Sequence, residues 1–93
     1  MSTETIEKKG TARKPMPLYK VLLHNDDATP MQYVIDVLMK TIPKMQPSKA
    51  REIMMEAHTS GTAIVIVCTQ EHAEFYSECL NRAGLTSTFE PDC

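Results

Sequence analysis

Leu18-Tyr19-Lys20-Val21-Leu22-Leu23-His24, then Asn25-Asp26-Asp27-Ala28, then Thr29-Pro30-Met31-Gln32, form the stretch on which the fold turns. The first seven residues are rich in aliphatic and aromatic side chains and predict a strand. The next four predict a turn, because Asn and Asp hydrogen-bond their own backbone and tolerate unusual dihedrals. The last four predict a helix start, with Thr29 as N-cap, Pro30 at the first helical position and Gln32 completing a capping box. Met31, Val34, Ile35 and Leu38 then keep the i, i+3, i+4, i+7 spacing of an amphipathic helix, which Pro43 stops.

Downstream, a second helix is expected from about Gln46-Pro47-Ser48, with Ala50, Ile53, Met54 and Ala57 on its apolar face and Gly61 as its C-terminal cap. Ala63–Cys68 is short, unbroken and β-branched, which predicts a central strand buried on both faces. Thr69 is the expected cap of a third helix whose stripe is Ala73, Tyr76, Leu80 and Ala83 and which Gly84 ends. Leu85–Glu90 alternates apolar and polar residues and suits an edge strand with one wet face. The order β-α-α-β-α-β predicts a single compact α/β (α+β) domain over residues 18–93, a three-stranded sheet covered by three helices. Residues 1–17 are expected to be a flexible N-terminal extension. Met1–Lys14 holds only Met1, Ile6 and Ala12 as apolar residues, too few to offset its ordering entropy, and Pro15 and Pro17 mark the border.

The chain has 93 residues, room for one small domain, which argues against a multidomain enzyme. With seven Met, two Phe and no Trp, the core must be aliphatic and methionine-rich. The longest apolar run, Ala63–Cys68, is far short of the ~20 residues that span a bilayer, and a net charge of −2 does not argue for nucleic acid. The charge is uneven: Lys8, Lys9, Arg13 and Lys14 against Glu4 and Glu7 make residues 1–14 +2, leaving −4 for the remainder. Three cysteines without a C-x-x-C spacing fit a reducing compartment and no disulfide or zinc framework.

Asn25-Asp26-Asp27, His58 and His24 are the polar features that need a reason. Asp26 and Asp27 serve a turn and a favourable charge at a helix N-terminus on one reading, and acceptors for a cation on another. General acid–base work is a weak third, because no nucleophile or phosphate loop accompanies them, and the spacing fails the calcium-loop pattern. His58 borders an apolar stripe; it either caps a helix end or, with His24 and an Asp, ligates a metal, for which no H-x-x-H spacing exists.

Two segments carry a specific likeness. Lys20-Val21-Leu22-Leu23-His24-Asn25-Asp26-Asp27-Ala28-Thr29-Pro30-Met31, with Val34–Leu38, and Met54-Met55-Glu56-Ala57-His58-Thr59-Ser60-Gly61 resemble the signature of the ClpS family, the N-end-rule adaptors of the Clp protease. The likeness runs from about Leu18 to about Glu90. It implies a fold similar to the C-terminal domain of ribosomal protein L7/L12. It also implies a non-catalytic adaptor that needs no cofactor or metal and holds the first residue of a protein to be degraded. Large hydrophobic first residues (Leu, Phe, Tyr, Trp) are the ligands it implies. By the resemblance, Asn25, Asp26 and His58 bind the α-amino group. Thr29, Met31, Val34, Met54, Ala57 and Leu85 line the side-chain pocket, and Asp27 and Pro30 shape the loop.

The same resemblance makes Glu71 a contact to the N-terminal domain of a ClpA- or ClpC-type AAA+ unfoldase, which also engages the N-terminal extension. It makes the protein a monomer of the bacterial cytoplasm, with a plastid stroma as the alternative, and without nucleic-acid or membrane partners. Three positions depart from the family pattern: Ala57 stands where Val is frequent, Ala28 where a larger residue is common, and Tyr76 where some relatives have Lys. A structural interaction module without N-terminal recognition is the competing class, and a small metal-dependent hydrolase a distant third.

Overall fold

The structure is a computed structural model in which residues 17–92 are described. The expected extension over residues 1–17 lies, Pro17 apart, outside them. The elements follow in the order β1 (Leu18–His24), α1 (Met31–Thr41), α2 (Pro47–Ser60), β2 (Thr62–Thr69), α3 (Gln70–Arg82) and β3 (Thr86–Pro91). They form one antiparallel sheet in the order β2-β1-β3. The fold is α+β, three strands and three helices, as the sequence pattern predicts.

The centre of the sheet differs from the expectation. β1 is the central strand and β2 an edge. β3 returns to pair with β1, from Tyr19↔Pro91 to His24↔Thr86, so β1 has partners on both sides. Nor is β2 buried on both faces. Ala63 and Val65 are buried, whereas Ile64 is 47% and Val67 41% exposed. Val65 has no partner in the register, which passes from Val21↔Ile66 to Leu22↔Ile64. This extra residue is a β-bulge, and it places both Ile64 and Val67 on the open face. A β-branched run reads as a doubly covered strand, but here only one face is covered.

The covered face meets the helices. Val21, Leu23, Ala63 and Val65 form one core with Val34, Ile35, Val37 and Leu38 of α1, Ala50, Ile53, Met54 and Ala57 of α2, and Ala73 and Leu80 of α3. The stripe read from spacing on α2 is wholly buried, but the other two differ in part: on α1 Met31 stays 45% exposed while Val37 is buried, and on α3 Tyr76 and Ala83 are only half-buried while Ser77 is buried. Ser87 is buried as well, and its hydroxyl donates to the Leu22 carbonyl at 2.8 Å.

The helix ends show a second correction. α1 begins at Met31, with Pro30 as N-cap and no side-chain cap. Thr29 donates its hydroxyl to Asp26 Oδ2 at 2.8 Å, and Gln32 Nε2 donates to Asp36 Oδ1 at 2.9 Å. With Pro30 in extended conformation at the N-cap, Thr29 stands one residue outside the helix with its hydroxyl turned to Asp26, so the capping box does not form. Thr69 is the N-cap residue of α3, but its hydroxyl pairs with His72 Nδ1 at 3.1 Å instead of the backbone. α2 ends as expected at Gly61, whose φ of 91° is the left-handed conformation that glycine adopts without strain.

Candidate functional site

Three elements end at one point. His24, the last residue of β1, pairs with Thr62 on one side and Thr86 on the other. The residues just before Thr62 are the last turn of α2 with Ala57, His58 and Gly61; the residue just before Thr86 is Leu85. Both are therefore carried beside the Asn25–Pro30 loop that leaves His24. A backbone bond from the Asn25 N–H to the Gly61 carbonyl, 3.0 Å, ties the loop to the end of α2. Segments more than thirty residues apart in the chain meet here because the β1–β2 register requires it.

Between them lies a cavity of about 220 Å³. Val34, Met54, Ala57 and Leu85 line it and are buried. Met31, 45% exposed, stands at its mouth with Thr29 and Pro30. Asn25, Asp26, Asp27 and His58 line it with polar groups. The structure thus brings together every residue the sequence singled out for the amino-binding and pocket sets, and both loop-shaping residues. Leu23, His24 and Thr86 also line it and were not expected there. Their signal was positional: Leu23 and His24 immediately precede Asn25, and Thr86 immediately follows Leu85 and is set beside His24 by the β1–β3 pairing.

Glu71 is not at this site. It lies exposed in the first turn of α3, after Thr69, and Thr69 pairs with Leu18 at the opposite end of β1. Around it α3 presents Phe75, 57% exposed, and a stacked His72–Tyr76 pair with centroids 6.0 Å apart.

The polar side of the cavity is organised by its own loop. Asp26 Oδ1 accepts the Ala28 N–H at 3.0 Å and Oδ2 accepts the Thr29 hydroxyl at 2.8 Å. A carboxylate offers about four lone-pair sites, so about two remain for a ligand. Asn25 Nδ2 donates to Asp27 Oδ1 at 3.1 Å. His24 is engaged elsewhere, with Nε2 2.8 Å from Thr88 Oγ1. The lining holds two carboxylates and no Lys or Arg, while the ion pairs among the described residues lie away from it, at Lys20–Glu90, Lys49–Glu52 and Arg82–Glu78. Among the described residues no group of three or more His, Cys, Asp and Glu is placed to hold a metal ion. The arrangement can accept hydrogen bonds from a small cation while an apolar group attached to it enters the cavity.

Fold and site together define a small α+β domain with an apolar cavity that carries acceptors along one side. A profile of the family described as ATP-dependent Clp protease adaptor protein ClpS matches residues 14–88, and the chain belongs to that family. It is 78% identical over 93 residues, the whole of both chains, to the ATP-dependent Clp protease adapter protein ClpS of Gloeobacter violaceus. It is 55% identical over 94 residues, 99% of each chain, to that of Synechococcus elongatus. The chloroplastic adapter protein CLPS1 of Arabidopsis thaliana is 48% identical over 81 residues, 87% of this chain and 51% of that one. Among solved structures, Agrobacterium tumefaciens ClpS2 bound to L-phenylalaninamide superposes with a TM-score of 0.76 at 39% identity, covering 84% of this chain and all of the other. Among the described residues no helix is long and apolar enough to cross a membrane.

Proposed function

We propose that this Clp protease adaptor is a non-catalytic receptor for protein N-termini that begin with Leu, Phe, Tyr or Trp, and that it passes such substrates to the N-terminal domain of a ClpA- or ClpC-type unfoldase. One observation carries the reading: an apolar cavity of about 220 Å³ bordered by acceptors, with two carboxylates and no basic side chain in its lining. An apolar cavity of about 150 Å³ already takes benzene, so this one has room for a phenyl or isobutyl group. The ClpS2 relative is known with L-phenylalaninamide, a free amine on an aromatic amino acid.

The chemistry divides between two sets. An ammonium has three donors, and the Asn25 amide oxygen, the Asp26 carboxylate and a ring nitrogen of His58 accept one each. Such charge-assisted bonds are roughly twice as strong as neutral ones. Val34, Met54, Ala57 and Leu85 surround the side chain, whose full burial contributes roughly 1.5–3 kcal/mol. Met31 and Thr29 limit its shape at the mouth. An internal residue offers one amide N–H with chain running on beyond it, so it leaves acceptors unpaired and is rejected. Glu71 is the proposed contact to the unfoldase, at the other end of β1 from the bound N-terminus, which lets one chain hold both partners at once. The cyanobacterial and chloroplastic relatives support a bacterial cytoplasm or a plastid stroma as the setting.

The test is a titration with peptides that differ only in the first residue. Leu- and Phe-initiated peptides bind, and their N-acetylated forms do not. Equal binding of both forms refutes N-terminal recognition and favours a plain docking module.

A further inference from the structure

We propose that Asp27 is a positioning residue: it turns the Asn25 side chain so that its carbonyl oxygen, and not its NH2, faces a bound amino group. This rests on the N-terminus-binding reading above and assigns the origin of its preference for a free ammonium over an acylated one.

The Asn25 amide is nearly symmetric in shape but opposite in chemistry at its two ends, one an acceptor with two lone pairs and the other a double donor. A half-turn about its last torsion would exchange them without moving any other atom. Toward an ammonium, the oxygen gives a charge-assisted bond and the NH2 a donor–donor repulsion. Toward the carbonyl of a formyl or acetyl cap, the preference reverses. What holds the torsion is therefore what holds the selectivity. Asp27 supplies it: its carboxylate accepts only, and Asn25 Nδ2 donates to its Oδ1 at 3.1 Å. The backbone from which the Asn25 side chain projects is itself fixed, because the Asn25 N–H is bound to the Gly61 carbonyl at 3.0 Å. Asp26 does not depend on Asp27. Its two oxygens are held by the Ala28 N–H and the Thr29 hydroxyl. The influence of Asp27 is thus confined to one acceptor of the set.

The experiment compares the full-length protein with D27N and D27A, using a fluorescent peptide that begins with Phe and the same peptide N-formylated. Asn at position 27 still presents an oxygen to Asn25 Nδ2; Ala presents nothing. Wild type binds the free peptide and discriminates against the formylated one. D27A weakens binding of the free peptide roughly tenfold, the share of one hydrogen bond to a charged group, and gains relative affinity for the formylated one, so the discrimination collapses. D27N loses about threefold, the share of an exposed charge, and keeps the discrimination. If D27N loses discrimination as fully as D27A, Asp27 acts by its charge and the positioning role is overturned. The same holds if both variants discriminate like wild type. D27N melting at the wild-type temperature shows that the loop is intact, which keeps the comparison decisive even if D27A folds poorly. Failure of wild type to bind either peptide would instead overturn the N-terminus-binding reading itself.

Discussion

Ala57 offers a way to close the cavity from inside without disturbing its polar side. It is 3% exposed, it lines the cavity, and it lies in the last turn of α2. Each carbon added to its side chain occupies about the volume of a water molecule, ~30 Å³. Ala57→Val then leaves roughly 160 Å³ of the 220 Å³ and Ala57→Leu roughly 130 Å³, against the ~150 Å³ that a benzene-sized group needs. Phe binding should therefore fall stepwise, slightly for Val and severely for Leu. Exclusion of the ring forfeits the roughly 1.5–3 kcal/mol of its burial, or about 10- to 150-fold in affinity. Stability should barely move. Burying three added carbons contributes about 2 kcal/mol, and the strain of filling the space costs about 1–3 kcal/mol. Fluorescence anisotropy with Phe- and Leu-initiated peptides measures the first effect and thermal denaturation the second. An Ala57→Leu protein that melts normally and binds the Phe peptide with wild-type affinity would refute the placement of the ligand side chain in this cavity.

Affinity for a Phe-initiated peptide should fall as pH rises through about 7.7–8.0, the range in which an α-amino group loses its charge; a flat profile from pH 7 to 9.5 counts against the ammonium contacts. Asn81 donates to the Ser87 carbonyl at 3.0 Å and accepts the Ser87 N–H at 2.8 Å, so it holds the start of β3 next to Leu85. Asn81→Ala should lower stability by about 1–3 kcal/mol and weaken peptide binding as well, and an unchanged melting temperature would deny it that role. Burial pushes the Cys68 thiol above its ordinary range, so less of it is thiolate at pH 8. Alkylation followed by mass spectrometry should find it slower than an unstructured cysteine peptide and catching up only at higher pH; equal rates at pH 8 would contradict the burial.

The order of elements was legible because each has a local cause: the Val21–Leu23 run, the proline-marked starts at Pro30 and Pro47, and the glycine end at Gly61. The place of β2 was not. Ile64 and Val67 are as apolar as Val65, and nothing in their side chains tells a covered face from an open one. The cap of α1 was misread for a similar reason. Thr29 has the composition of a capping residue, but the helix starts one residue later, with Pro30 at the N-cap, and the Thr29 hydroxyl turns back to a carboxylate three positions upstream. At the site, the Asn25–Met31 loop could be picked out because it is contiguous. Leu85 came from family likeness, and Thr86 was not seen at all, because only the return of β3 to β1 brings them there.

β1 is the first strand in the chain and the centre of the sheet, whereas both of its partners come later, and β3 ends only at Pro91. At ~5–20 residues per second, synthesis of the 67 residues from His24 to Pro91 takes roughly 3–13 s. During that interval Val21, Leu22 and Leu23 have no completed sheet to enter, and the sheet closes only through contacts between distant parts of the chain, a slow class of folding event. A nascent or truncated chain that stops before β3 therefore carries an apolar strand with one edge unpaired. The adaptor itself passes through a stage in which it offers what quality-control machinery recognises.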